Sequence, residues 1–214
     1  ANRMGNAWAF ESQTRQVIGA NLAAFGRTQS DGADLMGAAV ALVLVPNEAQ
    51  EACFVITRRA SSLKEHRGQW ALPGGRIDEG ENAEEAALRE LHEEVNLALS
   101  PACILGKLDD YTTRSGYRIT PVVIWAEGAS DLVANPEEVA AVYKVPLHDV
   151  ESPNSVELHP GADGDTTVLS KTIGTLNNTI YAPTGAFIHQ MCEVCLHGRS
   201  TRVAHFDQPR FAWR

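Results

Sequence analysis

Residues 75–97 read G-R-I-D-E-G-E-N-A-E-E-A-A-L-R-E-L-H-E-E-V-N-L, a loop that feeds a helix with an acidic face. Pro73, Gly74 and Gly75 turn the chain sharply and let its backbone come close to a ligand. Asn82, with Glu85 three residues on, has the pattern of a capping box. Residues 83–95 contain no Gly or Pro and are dominated by Ala, Leu, Glu and Arg, which are good helix formers.

At about 100° per residue, Leu88, Leu91 and Val95 share one side of this helix and are expected to pack on a core. Glu90, Glu93 and Glu94 fall within roughly 100° of arc on another side. Like charges one turn apart cost a few tenths of a kcal/mol per pair, and a helix that needed only solubility would interleave Lys there. Three convergent carboxylates suit a hard divalent cation, which takes oxygen ligands. Arg89, one turn after Glu85 and one turn before Glu93, is placed to brace the carboxylates from the side. The plain alternative is a solvated acidic face.

Immediately upstream, residues 55–75 read V-I-T-R-R-A-S-S-L-K-E-H-R-G-Q-W-A-L-P-G-G. Arg58, Arg59, Lys64 and Arg67 concentrate positive charge just ahead of the acidic helix. A basic loop facing a carboxylate cluster is the arrangement that a polyphosphate with bridging metal ions requires, cations on the outer phosphates and carboxylates on the metals.

Beyond this region the chain is ordinary in composition. Its 214 residues are enough for one domain with a sizeable core. A hydrophobic content of 44% and a charged content of 21% fit a globular protein. A net charge of −9 argues against nucleic acid or an anionic membrane as a bulk partner. The longest apolar run, residues 38–46, is too short to span a bilayer, and no secretory leader pattern opens the sequence. Cys53 and Cys103 sit in apolar runs, and Cys192 and Cys195 form a C-x2-C on a helical pattern without a second ligand pair. All four read as core thiols, and the expected setting is reducing and cytoplasmic.

In chain order, residues 10–25 have the spacing of an amphipathic helix, with Val17, Ile18, Leu22 and Phe25 on one face. A Gly-, Ser- and Asp-containing linker follows to residue 34. Residues 38–45 and 53–58 read as strands, as do 103–111 and 117–126, the latter two joined by a turn at Ser115 and Gly116. Residues 137–143 read as a short helix, with another short element starting at 145–147. Residues 156–158 and 168–173 read as a hairpin, 183–196 as a final helix, and 203–206 as an edge strand. The expected fold is an α+β sandwich in which a mixed sheet is flanked by helices.

Residues 75–97 resemble the Nudix box, G-x5-E-x7-R-E-U-x-E-E-x-G-U with U a bulky aliphatic residue. Gly75, Glu81, Arg89, Glu90, Leu91, Glu93, Glu94 and Leu97 match it. Asn96 replaces the second Gly, and Asn is the next best residue for a helix end at positive φ. Residues 56–75 are similar to the motif of coenzyme A pyrophosphatases within that family, L-L-T-x-R-[SA]-x3-R-x3-G-x3-F-P-G-G. Ile56, Thr57, Arg59, Ala60, Gly68, Pro73, Gly74 and Gly75 fall in register, with Lys64 in place of the second Arg and Leu72 in place of the Phe. Lys keeps the charge but loses bidentate recognition of phosphate.

The resemblance implies a Nudix α/β/α sandwich over residues 35–214, preceded by the N-terminal helix and linker of residues 1–34. It implies Mg²⁺- or Mn²⁺-dependent hydrolysis of a pyrophosphate linkage in a small-molecule nucleotide. Coenzyme A or an acyl-CoA would give adenosine 3′,5′-bisphosphate and (acyl-)4′-phosphopantetheine. Glu90 and Glu94, one turn apart on one face, are the expected principal metal ligands. Glu93 would be a further ligand or bridge, the Gly75 carbonyl could join them, and Arg89 would orient the carboxylates. Arg59, Lys64, Arg67, Gly74 and Gly75 are the expected substrate contacts. Glu137 and Glu138 are candidates for the general base, and Glu81 is expected to be structural. The alternatives are a Nudix hydrolase acting on ADP-ribose, NADH or dinucleoside polyphosphates, and a non-catalytic Nudix-like binding or regulatory module. The N-terminal helix, with an apolar face to bury, suggests a homodimer.

Overall fold

A computed structural model describes residues 8–60, 68–128 and 131–212. The chain opens with α1 (Ser12–Ala24) and enters β1 (Met36–Pro46), β2 (Ala52–Arg59), β3 (Trp70–Ala71) and β4 (Gly74–Arg76). Helix α2 (Ala83–Val95) follows, then β5 (Ile104–Lys107), β6 (Tyr111–Thr112), β7 (Tyr117–Trp125) and β8 (Val139–Pro146). The last third holds β9 (Val156–Pro160), β10 (Thr167–Ile173), β11 (Asn178–Tyr181) and α3 (Thr184–Met191), which continues as a π-helical turn, Cys192–Leu196.

The main sheet has the order β3-β2-β1-β7-β5, with β4 on β1, β6 on β7 and β8 on β2. β1 and β7 run parallel, and the other pairs are antiparallel, so the sheet is mixed as expected. β1 is buried on both faces, which is why it reads as an unbroken apolar run. Alternate residues still go to opposite sides. Ala39, Ala41, Val43 and Val45 join the cluster built with Ala87, Leu91 and Val95 of α2. Leu42 and Leu44 join the cluster built with Ile18 and Leu22 of α1 and with Phe187, Ile188 and Met191 of α3. The result is a sheet between two helical layers.

Ile18 and Leu22 are buried within this chain, against the same cluster as Phe54 and Val123. Of the apolar face that suggested a dimer, Ile18 and Leu22 are covered intramolecularly and Phe25 packs against the same cluster, while Val17 stays exposed. Cys192 and Cys195 are free, buried thiols, and burial raises both pKa values, that of Cys192 to about 11. They are core residues. Among the described residues no helix is long and apolar enough to cross a membrane.

Four expectations need correction. Residues 103–111 are not one strand: β5 covers only Ile104–Lys107, and Tyr111 begins the separate β6. Residues 137–143 are not a helix: Val139–Pro146 forms β8, paired along β2 from Cys53↔Pro146 to Arg59↔Val139. The backbone groups of β2 need a partner on that side, and the β-branched Val139, Val142 and Val145 fit a strand, so tertiary pairing overrides the weak helical propensity of Ala140 and Ala141. Residues 203–206 form no strand; one isolated bridge joins Val168 to Asp207, and a turn occupies 204–205. The hairpin of β9 and β10 exists with Leu169 opposite Leu158, but β11 adds a third strand that the sequence reading missed. Its signal was Asn177, which takes positive φ (47°) in the turn that reverses the chain after β10.

Candidate metal and phosphate site

Helix α2 starts as its sequence requires. The Asn82 side chain accepts from the Glu85 backbone N–H at 2.9 Å, and Glu85 Oε2 accepts from the Asn82 N–H at 2.9 Å. It ends on Asn96 in the left-handed region, φ 55°, whose N–H reaches back to the carbonyls of Leu91 and His92. Asn thus takes the conformation for which Gly is the usual choice.

Between these ends the buried stripe of the helix contains two carboxylates. Glu90 and Glu94 are only 8% and 4% exposed, and they lie among Ala86, Ala87, Leu91 and Val95. A solvated acidic face is excluded for them. Burying two like charges raises both pKa values. For Glu94 the cause is first desolvation and then the charge of Glu90, and the value reaches about 8. For Glu90 desolvation leads, and Arg89 opposes it.

The turn ahead of the helix is pressed against this stripe. β4 pairs antiparallel with β1, setting Gly75 opposite Ala39 and Gly74 opposite Val40, and Ala41 N–H donates to the Pro73 carbonyl at 2.8 Å. A Cβ on Gly74 would overlap the Ala39 carbonyl oxygen and lie 2.8 Å from Val40 Cα. A Cβ on Gly75 would overlap Glu90 Oε1 and lie 2.6 Å from its Cδ. Both glycines answer to close approach rather than to unusual φ. The backbone of Gly74 also hydrogen-bonds the Glu94 carboxylate.

Arg89 is the brace. Its Nε and Nη2 donate to the two oxygens of Glu81 at 2.9 and 3.0 Å, a bidentate pair. Its Nη1 donates to Glu90 Oε1 at 2.8 Å and Glu93 Oε2 at 3.2 Å, and Nη2 reaches the Arg76 carbonyl at 2.9 Å. The guanidinium holds the Glu81 carboxyl below its ordinary range. Glu81 also accepts from the Asp78 N–H at 3.0 Å, tying the loop to the helix. Glu93 lies apart from the buried pair, its side chain 48% exposed.

The third carboxylate beside Glu90 and Glu94 is Glu138. One oxygen from each of the three can be chosen so that all lie within 4.8 Å of one another. Glu138 arrives there because the segment before β8 docks on the C-terminal end of α2. Val133 N–H donates to the Val95 carbonyl at 3.0 Å, and Asn135 N–H to the Glu94 carbonyl at 2.8 Å, filling acceptors that a helix end leaves open. Asn135 then caps the turn, accepting from the N–H groups of Glu138 and Val139, and the Glu138 carbonyl accepts from Ala60 N–H at 2.9 Å. Glu137 is exposed, outside the trio.

Arg59, at the end of β2, stands close enough for its charge to lower the Glu94 pKa. Its Nε is buried without a hydrogen-bond partner among the described residues. Lys64 and Arg67 lie outside the described residues. The structure therefore brings together Glu90, Glu94, Arg89, Arg59, Gly74 and Gly75, and adds Glu138 as an equal member of the cluster.

The NUDIX domain family profile matches residues 36–166, more than half of the chain. A protein described as the uncharacterized Nudix hydrolase NudL of Yersinia pestis (strain Pestoides F) is 40% identical over 114 residues, 52% of this chain and 57% of that protein. The match thus spans little more than half the length of this curated relative. Among solved structures, a MutT protein from Methanosarcina mazei Go1 aligns at 21% identity and a TM-score of 0.43, covering 59% of this chain and 83% of that one. A C. elegans Ap4A hydrolase in a binary complex aligns at 22% identity and a TM-score of 0.41, covering 54% and 82%.

Proposed function

Since this chain belongs to the Nudix family, we propose that it is a metal-dependent pyrophosphohydrolase of a nucleoside-diphosphate-linked substrate, with coenzyme A or an acyl-CoA as that substrate. The observation that carries the hydrolase reading is the convergence of Glu90, Glu94 and Glu138 within 4.8 Å, beside an Arg59 whose buried Nε has no described partner. Like charges this close, two of them buried, are costly unless a cation joins them. The donors are all carboxylate oxygens, which fit Mg²⁺ or Mn²⁺ rather than a thiophilic ion.

Glu90, Glu94 and Glu138 would hold the cation. When bound, it supplies neutralisation of phosphate oxygens and activation of water. The chain's own residues do the rest. Arg59 offers a fixed positive charge to the phosphates at the rim of the carboxylates. Arg89, anchored on Glu81, holds Glu90 in one orientation. Gly74 and Gly75 keep the wall free of side chains, so the turn can sit against both the sheet and Glu90.

The coenzyme A assignment rests on residues 56–75, where Thr57, Arg59, Gly68 and Pro73 keep the spacing of the subfamily motif. Coenzyme A carries a 3′-phosphate that ADP-ribose lacks, and Arg59 with Lys64 and Arg67 would favour the extra charge. A product-identified hydrolysis screen tests this. It runs coenzyme A, 3′-dephospho-coenzyme A, ADP-ribose, NADH and diadenosine polyphosphates with Mg²⁺ and Mn²⁺. Coenzyme A is expected to yield adenosine 3′,5′-bisphosphate and 4′-phosphopantetheine, with higher kcat/KM than the 3′-dephospho form. A preference of about tenfold or more for ADP-ribose would overturn the coenzyme A assignment and leave the hydrolase reading intact; tenfold corresponds to about 1.4 kcal/mol.

A further inference from the structure

Of two adjacent glutamates, the chain sends Glu138 to the buried pair and leaves Glu137 in solvent. The residues that decide this are Asn135 and Pro136. A residue before Pro is held extended, and Pro offers no N–H. The Asn135 side chain bonds past the Pro: its Oδ1 accepts from the Glu137 N–H at 3.2 Å, an Asx turn. The Asn135 carbonyl takes the next two donors, Glu138 N–H at 3.1 Å and Val139 N–H at 2.8 Å. Three successive N–H groups thus converge on one residue and wind residues 136–138 into a turn.

This turn is anchored on both elements that carry the site. At its start the Asn135 N–H donates to the Glu94 carbonyl at 2.8 Å, at the end of α2. At its end the Glu138 carbonyl accepts from Ala60 N–H at 2.9 Å, next to Arg59. The register of β2 and β8 slips by one residue there, from Arg58↔Ala141 to Arg59↔Val139, and a bulge of this kind bends a strand and re-aims its side chains.

Asn135 also reaches the carboxylate. Its Nδ2 lies 3.4 Å from Glu138 Oε1, a long hydrogen bond within its own turn. The half-buried amide therefore meets the backbone of Glu137 with its oxygen and the side chain of Glu138 with its nitrogen, while the Asn135 backbone holds the helix end at Glu94. Because its side-chain oxygen is committed to the Glu137 N–H, Asn135 can act on a cation only through Glu138.

We propose that Asn135 is the positioning residue of the cluster: it sets Glu138 against Glu90 and Glu94, and so determines how tightly the site holds a divalent cation. The proposal rests on the reading of these carboxylates as a metal site. The test is calorimetric titration of the metal-depleted whole chain with Mn²⁺, without substrate, in a cycle of four proteins: wild type, Asn135→Ala, Glu138→Gln and the double variant. Asn135→Ala keeps the backbone bond to Glu94 and removes both contacts of the amide. It is expected to raise Kd for Mn²⁺ about tenfold, the lower end of the effect for a group that orients a metal ligand. In the Glu138→Gln background the same substitution is expected to change Kd by less than about twofold, because two residues that act as one unit do not add. Melting temperatures in EDTA check that each variant is folded. Should Asn135→Ala not fold, Asn135→Ser keeps a side-chain acceptor for the turn, lacks the amide donor, and enters the cycle with the same expectation. Equal losses in the two backgrounds would make Asn135 a merely structural residue and overturn the proposal, as would wild-type affinity in Asn135→Ala. A wild type that binds no Mn²⁺ overturns the metal reading itself, so the two failures are separable.

Discussion

Gly75 lies directly against the Glu90 carboxylate: a Cβ at position 75 would overlap Oε1 and stand 2.6 Å from Cδ. The obstacle is the end of a side chain, which can move. At Gly74 the obstacle is the Ala39 carbonyl and Val40 Cα, backbone of the central strand, which cannot move cheaply. Gly75→Ala is therefore expected to displace Glu90, cost about 1–3 kcal/mol and lower turnover about a hundredfold, as a misplaced catalytic group does. Gly74→Ala is expected to cost more stability than Gly75→Ala. Urea unfolding and kcat for the two variants check the order. A Gly75→Ala protein with wild-type turnover would remove Glu90 from the site.

Glu137 and Glu138 are adjacent in sequence and equal as candidates for the general base, yet the structure separates them. Glu138 meets Glu90 and Glu94, while Glu137 is exposed. Glu138→Gln is expected to raise the Mg²⁺ concentration needed for half-maximal activity about tenfold or more, and Glu137→Gln to leave it within about twofold; even an outer partner of a metal ligand changes affinity 10–100-fold. Activity titrated against Mg²⁺ and Mn²⁺ decides this. Equal behaviour of the two variants would dissolve the trio.

The part of the site carried by one element was legible in the sequence. The capping box and the Glu90 and Glu94 pairing follow from local spacing along one helix, and the Asn96 stop from the resemblance to the box. The alternation of β1 was masked because both of its faces are buried, yet its apolar run still marked a central strand. Glu138 was legible only as one of two acidic neighbours. Its place depends on Val133 and Asn135 bonding the open carbonyls at the end of α2, and on β8 pairing with β2, where a short helix was expected. Neither has a local pattern.

Arg89 holds Glu81 by two parallel bonds and Glu90 by a third. Lys at this position keeps the charge but cannot span both carboxylates in one plane. Arg89→Lys is expected to lose about 1–3 kcal/mol of stability, the range for leaving a charged group without its hydrogen bonds. It should also lower kcat more than it raises KM, because it loosens Glu90 and touches no substrate. Denaturant midpoints and steady-state kinetics measure both. A loss confined to KM would place Arg89 on the substrate rather than behind the carboxylates.

Glu94 makes the metal-free protein sensitive to pH in a definite direction. Burial, reinforced by the charge of Glu90, raises its pKa from an ordinary 4.5 to about 8. In the unfolded chain the carboxyl gives up its proton near 4.5; in the folded chain it keeps the proton until about 8. Between those values the folded state binds the extra proton, so stability falls as pH rises, by at most about 1.4 kcal/mol per unit. At this chain length that is roughly 2–4 °C of melting temperature per kcal/mol. His189, whose pKa burial lowers, acts in the opposite sense near neutrality, so the useful quantity is the difference between two proteins. In EDTA, the melting temperature of wild type is expected to fall relative to Glu94→Gln as pH goes from 5 to 8. Saturating Mg²⁺ should reverse the trend, because the cation binds the ionised form and its stabilisation grows with pH. Parallel curves for the two proteins in EDTA would mean that Glu94 ionises normally and that the carboxylate cluster carries no stored repulsion for a metal to relieve.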